Sequence, residues 1–184
     1  MRWGDITLTA VRWSLALPSD RVDRPGELLT GRAVAEAARA AEDAGFDAVY
    51  VTDHPAPDQR WLEGGGHHAL EPTVALSFAA AATQRVRLHT NVYVAAYRNP
   101  FLAAKAIASL DVLAGGRVIL GVAAGYLRPE FGALGVDFDE RNALLDEAID
   151  LMRRVWTEEE VAAEGRHFRA RAVTMHPRPD RPGG

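Results

Sequence analysis

The chain has 184 residues, enough for one ordinary domain with a real core and too few for two comfortable ones. With 48% apolar and 25% charged residues it is neither disordered nor fibrous, and a formal charge of −4 without a Lys/Arg-rich stripe leaves no phosphate-neutralising footprint for nucleic acid. The absence of cysteine excludes disulfides, thiolate metal sites and a cysteine nucleophile. It also suits a reducing cytoplasm. The N-terminal stretch lacks the sustained apolar run of a secretory signal, and the longest near-apolar segment, VALSFAAAAT, is about half a membrane span. The expectation is a cytoplasmic protein with neither a membrane nor a nucleic-acid partner.

In chain order, VRWSLAL (residues 11–17) reads as a short strand stopped by Pro18. TGRAVAEAARAAEDAGFD follows as a helix with Thr30 as cap and Gly45 where a left-handed terminator is wanted. AVYVT (48–52) is apolar and rich in β-branched and aromatic residues, the pattern of a strand covered on both faces. A second helix and strand come from EPTVALSFAAAATQ, with Pro72 in the first turn, and VRLHTNVYV (86–94). A third pair comes from NPFLAAKAIASLDVLAGG, capped by Asn99 and stopped at Gly115-Gly116, and RVILGVAAG (117–125). DFDERNALLDEAIDLMRRVW is amphipathic, with Leu144, Leu145, Ala148, Leu151, Met152 and Val155 on one face; Asp137 and Glu140 have capping-box spacing. EGRHFRARAV reads as a small hairpin or extended excursion, and residues 177–184 as Pro-rich coil.

Four strands separated by helices make an α/β protein with parallel strands and right-handed crossovers. Periodicity does not choose between a closed barrel and an open doubly wound sheet. Either way, ligands gather at the carboxyl ends of the strands. These ends carry Asp53 and His54, then Asn91, Tyr93 and Tyr97, then Gly125, Tyr126 and Glu130. Asp53-His54 is either an ordinary turn or a reactive pair in which the carboxylate orients an imidazole suited to proton transfer. His67 and His68 read as loop decoration, since adjacent residues point apart and no cysteine is available to join them at a metal; no metal site is expected. His89 reads as structural, His167 and His176 carry no spacing signal, and Glu130 reads as a buried structural acid. GVAAGYLRPE lacks both the dinucleotide and the Walker patterns; Gly121 and Gly125 suit a tight turn and close backbone approach to a flat ligand.

The stretches AEDAGFDAVYVTDH, LEPTVALSFAAAATQRVRLHTNVYV and RNPFLAAKAIASLDVLAGGRVILGVAAGYLRPEFGALGVDFDER, with EGRHF after them, resemble the luciferase-like monooxygenase superfamily, and in particular its coenzyme F-420-dependent branch. The resemblance runs from about residue 11 to the end and implies a (β/α)8 TIM-barrel type of fold. It further implies F-420, or alternatively FMN, across the carboxyl-end mouth, acting on a small-molecule substrate. Asp53 would hydrogen-bond the cofactor and His54 would be the catalytic acid/base. A non-prolyl cis peptide at Asn91-Val92, with Val94 nearby, would place a bulge under the ring, and Gly125 and Tyr126 would line the next loop.

A complete barrel of this kind runs about 250 residues. The expectation is therefore one domain over 1–184 holding the first four βα units, a half-barrel that stops before the fifth strand, with the first and fourth strands as open edges. Such a chain would pair with a C-terminal half or form a homo-oligomer. Two other readings stay open: an inactive fragment that self-associates or binds cofactor weakly, and a metal-dependent barrel enzyme using Asp53, His54 and Glu130.

Overall fold

The computed structural model of the protein describes residues 11–181. Residues 1–10, the first half of the N-terminal stretch compared above with a signal peptide, and residues 182–184 of the expected coil lie outside the described residues. Four strands, β1 (Ser14–Ala16), β2 (Ala48–Val51), β3 (Arg87–Val94) and β4 (Val118–Ala123), form one parallel sheet in the order β1-β2-β3-β4. β1 is shorter than the expected 11–17 because its pairing with β2 runs only from Ser14↔Ala48 to Ala16↔Tyr50.

The connections are helical. α1 (Pro25–Leu28) and α2 (Gly31–Asp43) follow β1; α3 (Gln59–Glu63) and α4 (Pro72–Ala82) follow β2. A 3-10 turn, Ala95–Tyr97, and α5 (Pro100–Leu113) follow β3; α6 (Arg128–Ala133) and α7 (Arg141–Thr157) follow β4. A two-stranded antiparallel hairpin, β5 (Val161–Glu164) and β6 (Arg169–Val173), packs after α7. The local signals worked where the chemistry was explicit. Thr30 Oγ1 accepts from Ala33 N at 3.0 Å, Asn99 Oδ1 accepts from Phe101 N at 3.0 Å, and Gly45, Gly115 and Gly116 all have positive φ. The expected capping box failed. α7 starts behind Glu140, whose side chain caps nothing, and Asp137 Oδ1 accepts from Asp139 N in the loop before it.

Leu15, Val49, Val51, Leu88 and Leu120 point to the helix side of the sheet, where the small residues of α2, α4 and α5 let the helices come close. Tyr50, His89 and Ile119 stand in register on the opposite face and are half-buried. Gly121 does not make the expected turn: it lies inside β4, where an added Cβ would sit 2.5 Å from the Thr90 carbonyl oxygen on β3. The outer edge of β4 is unpaired among the described residues. Beside it runs a groove of about 410 Å³, walled by Ile107, Val118, Leu120, Val122, Met152 and Trp156. Among the described residues no helix is long and apolar enough to cross a membrane.

Glu42, near the end of α2, substitutes for a missing strand partner where the chain enters β3. Its carboxylate accepts from Gln84 N, Arg85 N and Val86 N at 3.0, 2.5 and 2.8 Å. These bonds, that from Val86 foremost, hold its pKa below the ordinary 4.5. A depressed folded-state value means stability that is complete above the ordinary value and is lost as pH falls through the lowered one. Urea midpoints measured between about pH 3 and 6 should therefore decline for the wild type, and the gap to Glu42→Gln should narrow toward acid. A gap independent of pH would refute this role.

Candidate functional site

Asp53 follows the last residues of β2 and its side chain is 1% exposed. Its carboxylate faces Arg98, which approaches in the two-pronged geometry that suits a guanidinium: Nη1 donates to Oδ2 at 2.6 Å and Nη2 to Oδ1 at 2.9 Å. Oδ2 also accepts from Val94 N at 2.8 Å. The pair thereby ties the end of β2 to the end of β3. Arg98 stacks 4.1 Å over the ring of Tyr93, which is buried on the helix side and not in the crevice where the strand-end rule put it. Burial pushes the Tyr93 phenol up to about 12.

His54, the next residue, turns away from Asp53 toward α6. Its Nδ1 stands 3.6 Å from Glu130 Oε2, too far for a good hydrogen bond, and has no other partner. Glu130 is 1% exposed; Oε1 accepts from Ala56 N at 3.2 Å and Oε2 from Tyr97 Oη at 2.7 Å. The carboxylate that faces the imidazole is thus Glu130, seventy-six positions away, and not the adjacent Asp53. Burial holds the His54 pKa below the ordinary 6.5, against the opposing pull of Glu130. The Tyr97 phenol is raised by burial and by its bond to Glu130, so it stays protonated as the donor.

These groups border a cleft of about 530 Å³ at the carboxyl ends of the strands, within the range of small-molecule and cofactor sites. Asp53, His54, Asn91, Val92, Val94, Gly125 and Tyr126, the residues the family resemblance assigned to the site, line it; Tyr97 and Glu130, also expected at the strand ends, do not. The Asn91-Val92 peptide is cis, as expected, and the β3–β4 register shifts between Thr90 and Tyr93. Gly125 has φ +84°, and an added Cβ would lie 2.8 Å from Val94 Cγ1 and 3.1 Å from the Phe131 ring. Only glycine therefore fits this stretch of the wall. Tyr126, 63% exposed, stands at the rim with its ring 6.0 Å from that of His54.

Four contributors escaped the sequence reading. Trp61, on the unexpected α3, packs its ring 4.6 Å from His54. His67, read as loop decoration, comes back to the cleft: its ring lies 5.0 Å from that of His54 and its Nε2 is 3.2 Å from Thr52 Oγ1. His68 does stay exposed. Arg141 and Asn142 bring the start of α7 to the far side of the cleft. Among the described residues no group of three or more His, Asp or Glu side chains is placed to hold a metal ion, and Asp53, His54 and Glu130 do not converge on one point.

Residues 12–183 match the family model described as luciferase-like monooxygenase. The chain belongs to this family. Among curated relatives of this luciferase-like chain, an F420-dependent glucose-6-phosphate dehydrogenase of Intrasporangium calvum is 42% identical over 151 residues, covering 77% of the chain and 43% of the relative. Another from Kineococcus radiotolerans is 40% identical, covering 86% of the chain and 45% of the relative. The chain spans about half the length of the curated relatives it matches. Of solved structures, the monooxygenase RslO1 from Streptomyces bottropensis superposes with a TM-score of 0.78 at 34% identity, over 94% of the chain and 51% of that protein. An F420-dependent secondary alcohol dehydrogenase in complex with an F420-acetone adduct gives 0.76 at 26% identity, over 94% and 50%.

Proposed function

We propose that this luciferase-like chain is the cofactor-side half of a (β/α)8 oxidoreductase that uses coenzyme F-420, with FMN as the alternative, to oxidise a hydroxyl-bearing carbon of a small organic substrate. The observation that carries the reading is His54: an imidazole on the wall of the cleft, backed by the buried Glu130 and set beside the glycine wall at Gly125. Its Nδ1 faces Glu130, which leaves Nε2 as the nitrogen for the cleft. A lowered pKa keeps that nitrogen unprotonated near neutral pH, the state in which it accepts a proton from a substrate hydroxyl.

A bound deazaflavin supplies hydride acceptance, chemistry that no side chain here offers. The residues that would hold it are the Asn91-Val92 backbone with Val94, and Gly125 with Tyr126 at the rim. Asp53 would act chiefly through Val94, since Arg98 and Val94 N already engage its two oxygens. The strongest support for F-420 over FMN is the kinship to F420-dependent dehydrogenases at about 40% identity. An inactive remnant is the weaker reading, because the residues assigned to the cofactor side line one cleft.

Titration of the purified chain with F-420 and with FMN, followed by cofactor fluorescence beside light scattering, tests the proposal. Saturable quenching by F-420 at one equivalent per chain is the expected result. No saturable change with either cofactor would overturn it.

A further inference from the structure

We propose that His67 is a positioning residue for the charge of His54: the two imidazoles stand so close that a proton on one opposes a proton on the other, which helps to keep His54 a neutral base. The geometry is an edge-to-face pair, ring centres 5.0 Å apart with planes at 71°, and Trp61 packs against both rings at 4.6 and 5.5 Å. Two positive charges so close, beside an apolar indole, repel with little water between them to weaken the effect. A second proton on the pair is therefore disfavoured, the behaviour of coupled groups.

The surroundings of His54 set the balance. His54 meets Glu130 from α6, Asp53 from the end of β2, Tyr126 from the turn after β4, and His67 from the loop after α3. The charge of Asp53 is balanced by Arg98, Tyr126 is a neutral phenol, and Tyr97 already donates to Glu130. That leaves Glu130 favouring a cation on His54, against the loss of water around a side chain only 10% exposed and against any charge on His67. His67 is half-buried, anchored through Nε2 to Thr52 Oγ1, and meets no cationic side chain among its described contacts other than His54.

The proposal deepens the acid–base role given to His54 above, but its test uses the cofactor-free chain, so its failure would leave the cofactor titration standing. Ring nitrogen shifts of His54 are followed by NMR against pH in the wild type, His67→Gln, His67→Ala and His67→Lys. Glutamine keeps a polar group for Thr52 and removes the proton site. The His54 midpoint should move to higher pH in both the Gln and Ala variants, and to or below the wild-type value in the Lys variant. An unchanged midpoint in His67→Gln overturns the proposal, as does a shift in the Ala variant that Gln reverses, because His67 would then be a spacer only.

Discussion

Asp53→Ala is expected to remove about 3 to 5 kcal/mol of folding stability, the usual consequence of breaking a buried ion pair by deleting one partner. The deletion leaves Arg98, its side chain 20% exposed, with Val94 O, the Tyr93 ring and no counter-charge among the described residues closer than Glu71 at 3.5 Å, and it strips Val94 N of its acceptor. Urea unfolding should show the loss as a lower midpoint at unchanged slope. Asp53→Asn should fall between the two, since an amide oxygen still accepts from Val94 N but no longer balances the guanidinium. Asp53→Ala/Arg98→Met should recover part of the loss, because the stranded cation goes with its partner. A loss below about 1 kcal/mol in the single variant would show that the pair is not the tie between β2 and β3 described above.

Under the proposed function, His54→Ala should depress hydride transfer by about 10²- to 10⁴-fold, the range for loss of a positioned general base, with a far smaller effect on cofactor affinity. The wall residues that would hold the ring remain, so the deficit should appear in turnover and not in the F-420 titration. A pH signature accompanies it. Because burial holds the folded-state value below 6.5, the neutral, proton-accepting form persists to lower pH than a free imidazole allows. The acid limb of the wild-type profile should therefore lie below 6.5 and be absent from the variant. Equal turnover in both proteins, measured by stopped-flow loss of F-420 absorbance, would sink the assignment.

The parallel α/β architecture was legible because each βα unit repeats strong local chemistry: Thr30 and Asn99 as caps, Pro72 and Pro100 in first turns, glycines at helix ends. The strand-end rule also collected most of the cleft. What stayed hidden depends on distance or brevity. α3 and α6, five and six residues long, are too short to show a helical period. The Asp53–Arg98 pair spans forty-five positions and forms only because β2 and β3 end side by side. The adjacent letters Asp-His suggested a dyad, yet backbone direction turns the two side chains apart, and Glu130 arrives from beyond β4 to take the expected place. His67 carried no motif; only the course of the loop after α3 brings its ring to the cleft. The Asp137–Glu140 spacing misled for the opposite reason: it is a local signal that the Phe138 loop, gripped by Arg128 and Arg141 on its ring, bends to another use.

The strand order β1-β2-β3-β4 has a bearing on how the chain emerges from the ribosome. Every strand pairs with the one synthesised just before it, so the sheet can grow by accretion at a single advancing margin, and no early strand must wait for a distant partner. At each stage the newest strand presents its outer margin, and at β4 that margin comes with an apolar trough beside Met152 and Trp156. A nascent chain that has reached this point thus carries apolar surface beside an unpaired strand margin, the kind of surface that sticks to neighbours until it is covered.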